Sequence, residues 1–139
     1  MTKVIIAGGR NYRLSKIGWL WLEKYHEFYK IDQILCGKAN GIDLEGERFG
    51  LMNQIPVDPN PAEWQNFDIP MVKVAYKGNY KYNALAGHYR NELMAQKATH
   101  LLLFPGGTGS NDMFKRATKH KLEITDFRSY LDLVQKIVI

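Results

Sequence analysis

The chain has 139 residues, 45% of them hydrophobic, which is apolar material for one compact core and too little for two, so a single domain over residues 1–139 is expected. A charged fraction of 24% is that of an ordinary globular protein and excludes a disordered or fibrous class. The net charge of +5 favours anionic partners, but the lysines are scattered, so charge alone does not separate small phosphates from nucleic acid or lipid head groups.

Lys3 to Ala7 (KVIIA) is a β-branched run ending in Gly8-Gly9, which predicts a buried strand and a tight turn. From Leu14 to Tyr29 apolar residues recur near the helical period and predict a helix. Asp32 to Cys36 (DQILC) predicts a second strand, stopped by Gly37. The stretch from Ile42 to Asn53 predicts a helix whose early acidic residues suit the positive end of its dipole. Ile55 to Pro61 begins as a strand, but Pro56, Pro59 and Pro61 cannot donate to a ladder, so it is expected to be short or at an edge. Trp64 to Asn83 has no clear period and reads as a long loop or small hairpin inserted over residues 65–83. Ala84 to Lys97 predicts a helix, His100 to Phe104 a buried strand, Ser110 to His120 a helix, Leu122 to Thr125 a strand, and 127–139 a final helix. Strands alternating with helices in this order predict an α/β fold: a Rossmann-like three-layer sandwich with a mostly parallel central sheet.

Three glycine-containing loops follow three of these strands: Gly8-Gly9-Arg10-Asn11-Tyr12, Gly37-Lys38-Ala39-Asn40-Gly41-Ile42-Asp43, and Pro105-Gly106-Gly107-Thr108-Gly109-Ser110-Asn111-Asp112. In a doubly wound sheet the strand C-termini share one edge, so the loops should meet there, where ligands bind. Glycine admits close backbone approach, and free N–H groups opening the next helix point at anions, so a phosphate is the natural guest. Ser110 or Asn111 is expected to cap the helix after the third loop, and Arg10 can grip a phosphate in bidentate fashion. Asp43 can cap the helix it opens or face a ribose hydroxyl, and Asp112 carries the same ambiguity. His88, Arg90 and Asn91 can aim at the same edge. Trp64 can stack on a base or fill the core beneath the loop. An enzymatic reading would use Asp112, Arg90 and Asp43.

Cys36, the only cysteine, permits no intramolecular disulfide and reads as core rather than nucleophile. His26 and His120 read as surface residues, and the four histidines lack metal-ligand spacing, so neither metal nor other cofactor is expected. No apolar stretch approaches the roughly 20 residues needed to span a bilayer, and the N-terminal apolar run is shorter than a signal-peptide core. A cytoplasmic protein without a membrane partner is expected.

AGGRNY (Ala7 to Tyr12), GKANGID (Gly37 to Asp43), PAEW (Pro61 to Trp64), AGHYRNELM (Ala86 to Met94) and FPGGTGSNDM (Phe104 to Met113) stand in the order found in the SLOG superfamily, and the chain resembles its YspA-like branch. The resemblance implies a Rossmann-like sheet, a pocket for a nucleotide or nucleotide-derived ligand built from these loops, and often a homodimer. The segment between Trp64 and Ala86 is longer than is usual for the branch. The third loop is also similar to the PGGxGTxxE motif of the cytokinin-activating phosphoribohydrolases, whose glutamate takes part in N-glycosidic cleavage. Met113 stands at that position, and a thioether neither transfers a proton nor stabilises a cation by charge. GKANGID is similar to the corresponding loop of the DNA-processing protein A family, which implies a nucleic-acid alternative. Lys73, Tyr76, Lys77, Tyr80, Lys81 and Tyr82 supply the cations and aromatics that single-stranded nucleic acid requires.

Overall fold

The computed structural model of the chain describes residues 1–128, so the helix expected over 127–139 lies outside the described residues apart from its first two positions. In chain order the elements are β1 (Lys3–Ala7), α1 (Lys16–Tyr29), β2 (Gln33–Cys36), α2 (Ile42–Met52), β3 (Val57–Pro59), β4 (Val74–Lys77), β5 (Tyr80–Asn83), α3 (Ala86–Lys97), β6 (His100–Leu103), α4 (Thr108–Lys119) and β7 (Glu123–Asp126). Five parallel strands form the central sheet in the order β3-β2-β1-β6-β7, the Rossmann-like fold expected.

Alternation along β1 divides the core in two. Val4 and Ile6 point to the face covered by Leu22 and Tyr25 of α1 and by Ile42 and Phe49 of α2. Ile5 points to the opposite face, against Met94 and Ala95 of α3 and Met113 and Ala117 of α4. Because both faces are covered, β1 carries three consecutive residues exposed by 1% or less. β3 is short and lies at the sheet edge, where its prolines leave no central ladder unmade.

Helix α1 begins at Lys16 rather than Leu14, because Ser15 caps it: its hydroxyl accepts from Gly18 N–H at 3.1 Å. Helix α4 starts earlier than expected, at Thr108, with Gly107 at the cap. Ser110 and Asn111 are therefore inside the helix and do not cap it. Lys77 and Tyr80 are joined by Gly78-Asn79, and Gly78 takes φ +63° at the first turn position, which a II′-type hairpin assigns to glycine. The rest of the long segment is ordered by Asn83, which is fully buried. Its side-chain amide donates to the carbonyls of Asn66 and Met71 and accepts from the N–H groups of Lys73 and Leu85.

His26 and His120 are half-buried and partnered rather than simply exposed: His26 Nδ1 accepts from Ile31 N–H at 3.1 Å, and His120 Nε2 stands 2.6 Å from Glu92. Hydrogen bonds from Gln96, His120 and Arg116 hold the Glu92 carboxyl at about 2, below its ordinary 4.5 and against the opposing effect of burial. A carboxylate depressed in the folded state contributes stability above its unfolded pKa and loses it as pH falls through the folded value. The advantage of wild type over Glu92→Gln in thermal midpoint should therefore be full near neutral pH and shrink between 4.5 and about 2. Melting curves across that window that run parallel for the two proteins would contradict this.

Candidate ligand-binding cleft

Sheet order reverses between β1 and β6: the chain runs outward through β2 and β3 on one side and through β7 on the other. A crevice opens at such a point beyond the strand C-termini. Here it is a cleft of about 800 Å³, walled by all three glycine loops.

The loops are packed backbone against backbone. Gly9 N–H donates to the Pro105 carbonyl at 2.8 Å, and a Cβ on Gly106 would stand 2.6 Å from Gly9 N and 2.9 Å from Gly8 C. Gly41 lies on the carbonyls of Gly9 and Arg10, and Ile42 N–H donates to Gly9 O at 3.3 Å. These glycines build the platform. Gly107 and Gly109 differ, since a Cβ at either would meet nothing within 4 Å. They face open space at the start of α4, where no side chain caps the helix and the first turn holds no acidic residue. The positive end of the α4 dipole is thus uncompensated by the protein at the cleft.

Of the residues singled out in the sequence, the structure brings Gly8, Gly9, Arg10, Asn11, Gly37, Ala39, Asp43, Trp64, Arg90 and Asn91 to the cleft wall, together with Pro105, Gly106, Gly107, Thr108, Gly109 and Ser110. Lys38, Gly41 and Asp112 are outside that wall. Lys38 is turned to Glu47, with Nζ 2.6 Å from Oε1.

Asp43 does not cap α2; Gly41 occupies that position. The Asp43 carboxylate instead accepts from Gly37 N–H at 3.1 Å and Ala39 N–H at 2.8 Å, tying down the loop that precedes its helix. Burial pushes its carboxyl upward, opposed by those two N–H groups and by Arg90. Arg90 donates from its Nη1 to Gly37 O at 2.5 Å and from Nε to Asn91 Oδ1 at 3.0 Å. Burial lowers its guanidinium, with Asp43 acting the other way. Cys36, beside this pair, is 1% exposed, and burial together with the Asp43 charge pushes its thiol up to about 12, which suits a core residue and not a nucleophile.

Trp64 is half-buried in the wall and in edge contact with Tyr82 at 6.3 Å, while Tyr82 stacks on Tyr80 at 5.9 Å. A Cβ on Gly87 would meet the Trp64 ring at 3.1 Å, so α3 begins directly behind the indole. Met113 is 2% exposed and packs in the core beneath the cleft.

His88 and Tyr12 also reach the wall. Sequence reasoning placed His88 near this edge without giving it a role. Its Nδ1 stands 2.8 Å from Asp112 Oδ1, and its side chain is 43% exposed. Burial alone would raise the Asp112 carboxyl, but hydrogen bonds from Arg116, Asn91 and His88 outweigh it and hold it below the usual carboxylate range. Among the described residues no group of three or more His, Cys, Asp or Glu side chains is arranged to hold a metal ion, and no helix is long and apolar enough to cross a membrane.

No protein-family model matches the chain, and no curated protein matches it. Among solved structures it is similar to DNA processing protein A (DprA) from Streptococcus pneumoniae, with a TM-score of 0.61 and 17% identity over 90% of this chain and 50% of that one. The chain spans half the length of the DprA chain it matches. At that identity the likeness is one of architecture, and the Rossmann-like sheet is what the two proteins share.

Proposed function

We propose that the cleft binds the phosphate of a nucleotide or nucleotide-derived ligand. The observation that carries this is the uncapped N-terminus of α4, opening through Gly107 and Gly109 onto the crevice at the sheet's switch point. Backbone N–H groups from Gly107 to Ser110 donate to the phosphate, the dipole of α4 favours its charge, and Arg10 reaches it from the facing loop. Arg10 has no ion-pair partner among the described residues, so its charge is free for a ligand. Trp64 offers a flat apolar surface for a base. The five ordered sequence motifs support placing the chain in the SLOG superfamily and its YspA-like branch. The N-glycosidic hydrolase reading is weaker, because Met113 is buried where that chemistry needs a glutamate, and Asp43 and Arg90 are engaged in holding the second loop.

Native mass spectrometry of freshly purified protein should reveal a nucleotide-sized mass travelling with it. Gly107→Val should weaken binding of that ligand by at least about tenfold, since a branched side chain stands where the phosphate must approach. The new Cβ enters open space, and the φ of −102° is accessible to any residue. The fold should therefore persist with a stability loss of about 1 kcal/mol or less from the poorer cap. Unchanged affinity in a folded Gly107→Val protein would falsify the cradle.

A second reading, single-stranded nucleic acid lying along the hairpin, is favoured by the row of rings from Tyr80 through Tyr82 to Trp64 and by Lys77, which pairs with Tyr80 across the hairpin. DprA is by its name a DNA-processing protein, which points to the same class of ligand. We expect a short oligonucleotide to bind weakly and to be released steeply by salt. Tight binding at physiological salt, lost when Lys73, Lys77 and Lys81 become alanine, would put this reading first.

A further inference from the structure

We propose that His88 reads the ligand's phosphate as a terminal monoester, and that Asp112 is the positioning residue that orients its ring toward the cleft. The proposal rests on the reading of the cleft as a phosphate site and adds to it a chemical selection between monoester and diester.

His88 lines the cleft, whereas Asp112 lies behind it, outside the wall. An ionised carboxylate only accepts hydrogen bonds, so with Nδ1 at 2.8 Å from Asp112 Oδ1 the proton sits on Nδ1. Asp112 is held ionised and in place from three sides, by His88, by Asn91 Nδ2 at 3.0 Å and by Arg116 Nε at 3.0 Å. This leaves Nε2, across the ring, with no partner among the described residues. Asp112 stands one turn into α4, which begins at Thr108, so its contact with His88 joins the start of α3 to the N-terminal half of α4. Asn91 joins the same two helices through its contact with Gly109 O at 3.5 Å.

An imidazolium so placed donates Nδ1–H to Asp112 and Nε2–H to a phosphate oxygen, and a dianionic monoester attracts it more strongly than a monoanionic diester does. Proton balance is closed by solvent: a ring carrying hydrogen on Nδ1 alone, the ligand and one proton become a complex in which both ring nitrogens carry hydrogen. The charged groups around the ring are Asp112 and, behind it, Arg116 on α4, Arg90 and Glu92 on its own helix, and Arg10 on the facing loop. Glu92 is itself occupied by Arg116 and His120. Asp112 is thus the anion in direct contact with the imidazole.

The test is titration calorimetry of the full chain with the four common nucleoside 5′-monophosphates and their 3′,5′-cyclic diesters. It is run near pH 7.5, where the monoester is already dianionic, in two buffers of different ionisation enthalpy. The expected result is at least about tenfold tighter binding of the monoester, with net proton uptake read from the buffer difference. His88→Gln should abolish the uptake and bring monoester affinity down to that of the diester. Asp112→Asn keeps an acceptor for Nδ1–H but removes the charge, so it should reduce the uptake and shift the pH profile of binding. Equal affinity for monoester and diester, or binding without proton uptake in wild type, overturns the assignment of His88 while leaving the phosphate site standing. Failure of every nucleotide to bind overturns both. A 5′-phosphorylated oligonucleotide preferred over both its 5′-hydroxyl form and the mononucleotides assigns the monoester to a nucleic-acid end, and preference for a mononucleotide assigns it to a free nucleotide. Binding of both oligonucleotides alike, at mononucleotide strength or better, overturns the selection.

Discussion

Gly41→Ala should lower the thermal midpoint by about 10 °C, although it adds only one methyl group. Gly41 has φ +78°, a conformation that costs an L side chain about 1 kcal/mol. Its new Cβ would also lie 2.6 Å from Arg10 O and 2.7 Å from Arg10 C, with Gly9 O closer still. Gly9 is held by its N–H on Pro105 O and by Tyr12 N–H on its carbonyl, so the overlap is relieved by separating the two loops. Together the terms reach about 3 kcal/mol. Gly109→Ala is the control: its Cβ meets nothing within 4 Å inside the first turn of α4, so the better helix former should leave stability unchanged or slightly higher. Differential scanning calorimetry of both variants decides the matter, and equal midpoints would mean that the second loop does not bear on the first as described.

Arg90→Met should destabilise the protein by about 3 kcal/mol, because it leaves the Gly37 carbonyl without its charged donor and removes the cation that acts on Asp43. Methionine preserves much of the bulk, so the loss reports on the hydrogen bond to Gly37 O and on the charge facing Asp43. Without the guanidinium, Asp43 keeps its bonds from Gly37 and Ala39 but loses the cation that opposes the upward push of burial. Combining Arg90→Met with Asp43→Asn should therefore cost less than the sum of the two single changes, the sign of direct coupling. Denaturant unfolding of the four proteins measures it; strict additivity would show that Arg90 and Asp43 support the loop independently.

Both variants act on the cleft through its platform, and here sequence and structure divide the work. That three glycine loops converge was legible from the strand runs alone, because every strand of a parallel sheet ends at the same edge. The roles of Asp43 and Arg90 were not. An aspartate opening a helix after a glycine loop satisfies a cap, a ribose or a loop equally well by type and spacing. The backbone course of 37–39 is what turned two N–H groups onto the carboxylate.

The sequence by itself determined the α/β class, the parallel sheet, the short proline-limited β3 and the meeting of the glycine loops. Each follows from local periodicity, proline chemistry or the shared direction of strands, and needs no knowledge of which helices touch. Tertiary structure alone decided that the segment from Trp64 to Asn83 is pinned by a buried Asn83, that Trp64 closes one wall of the cleft, and that His88 is backed by Asp112. Those depend on contacts between α3, α4 and the hairpin, whose residues are far apart in the chain. No pattern along the sequence encodes the distance between side chains that only packing brings together.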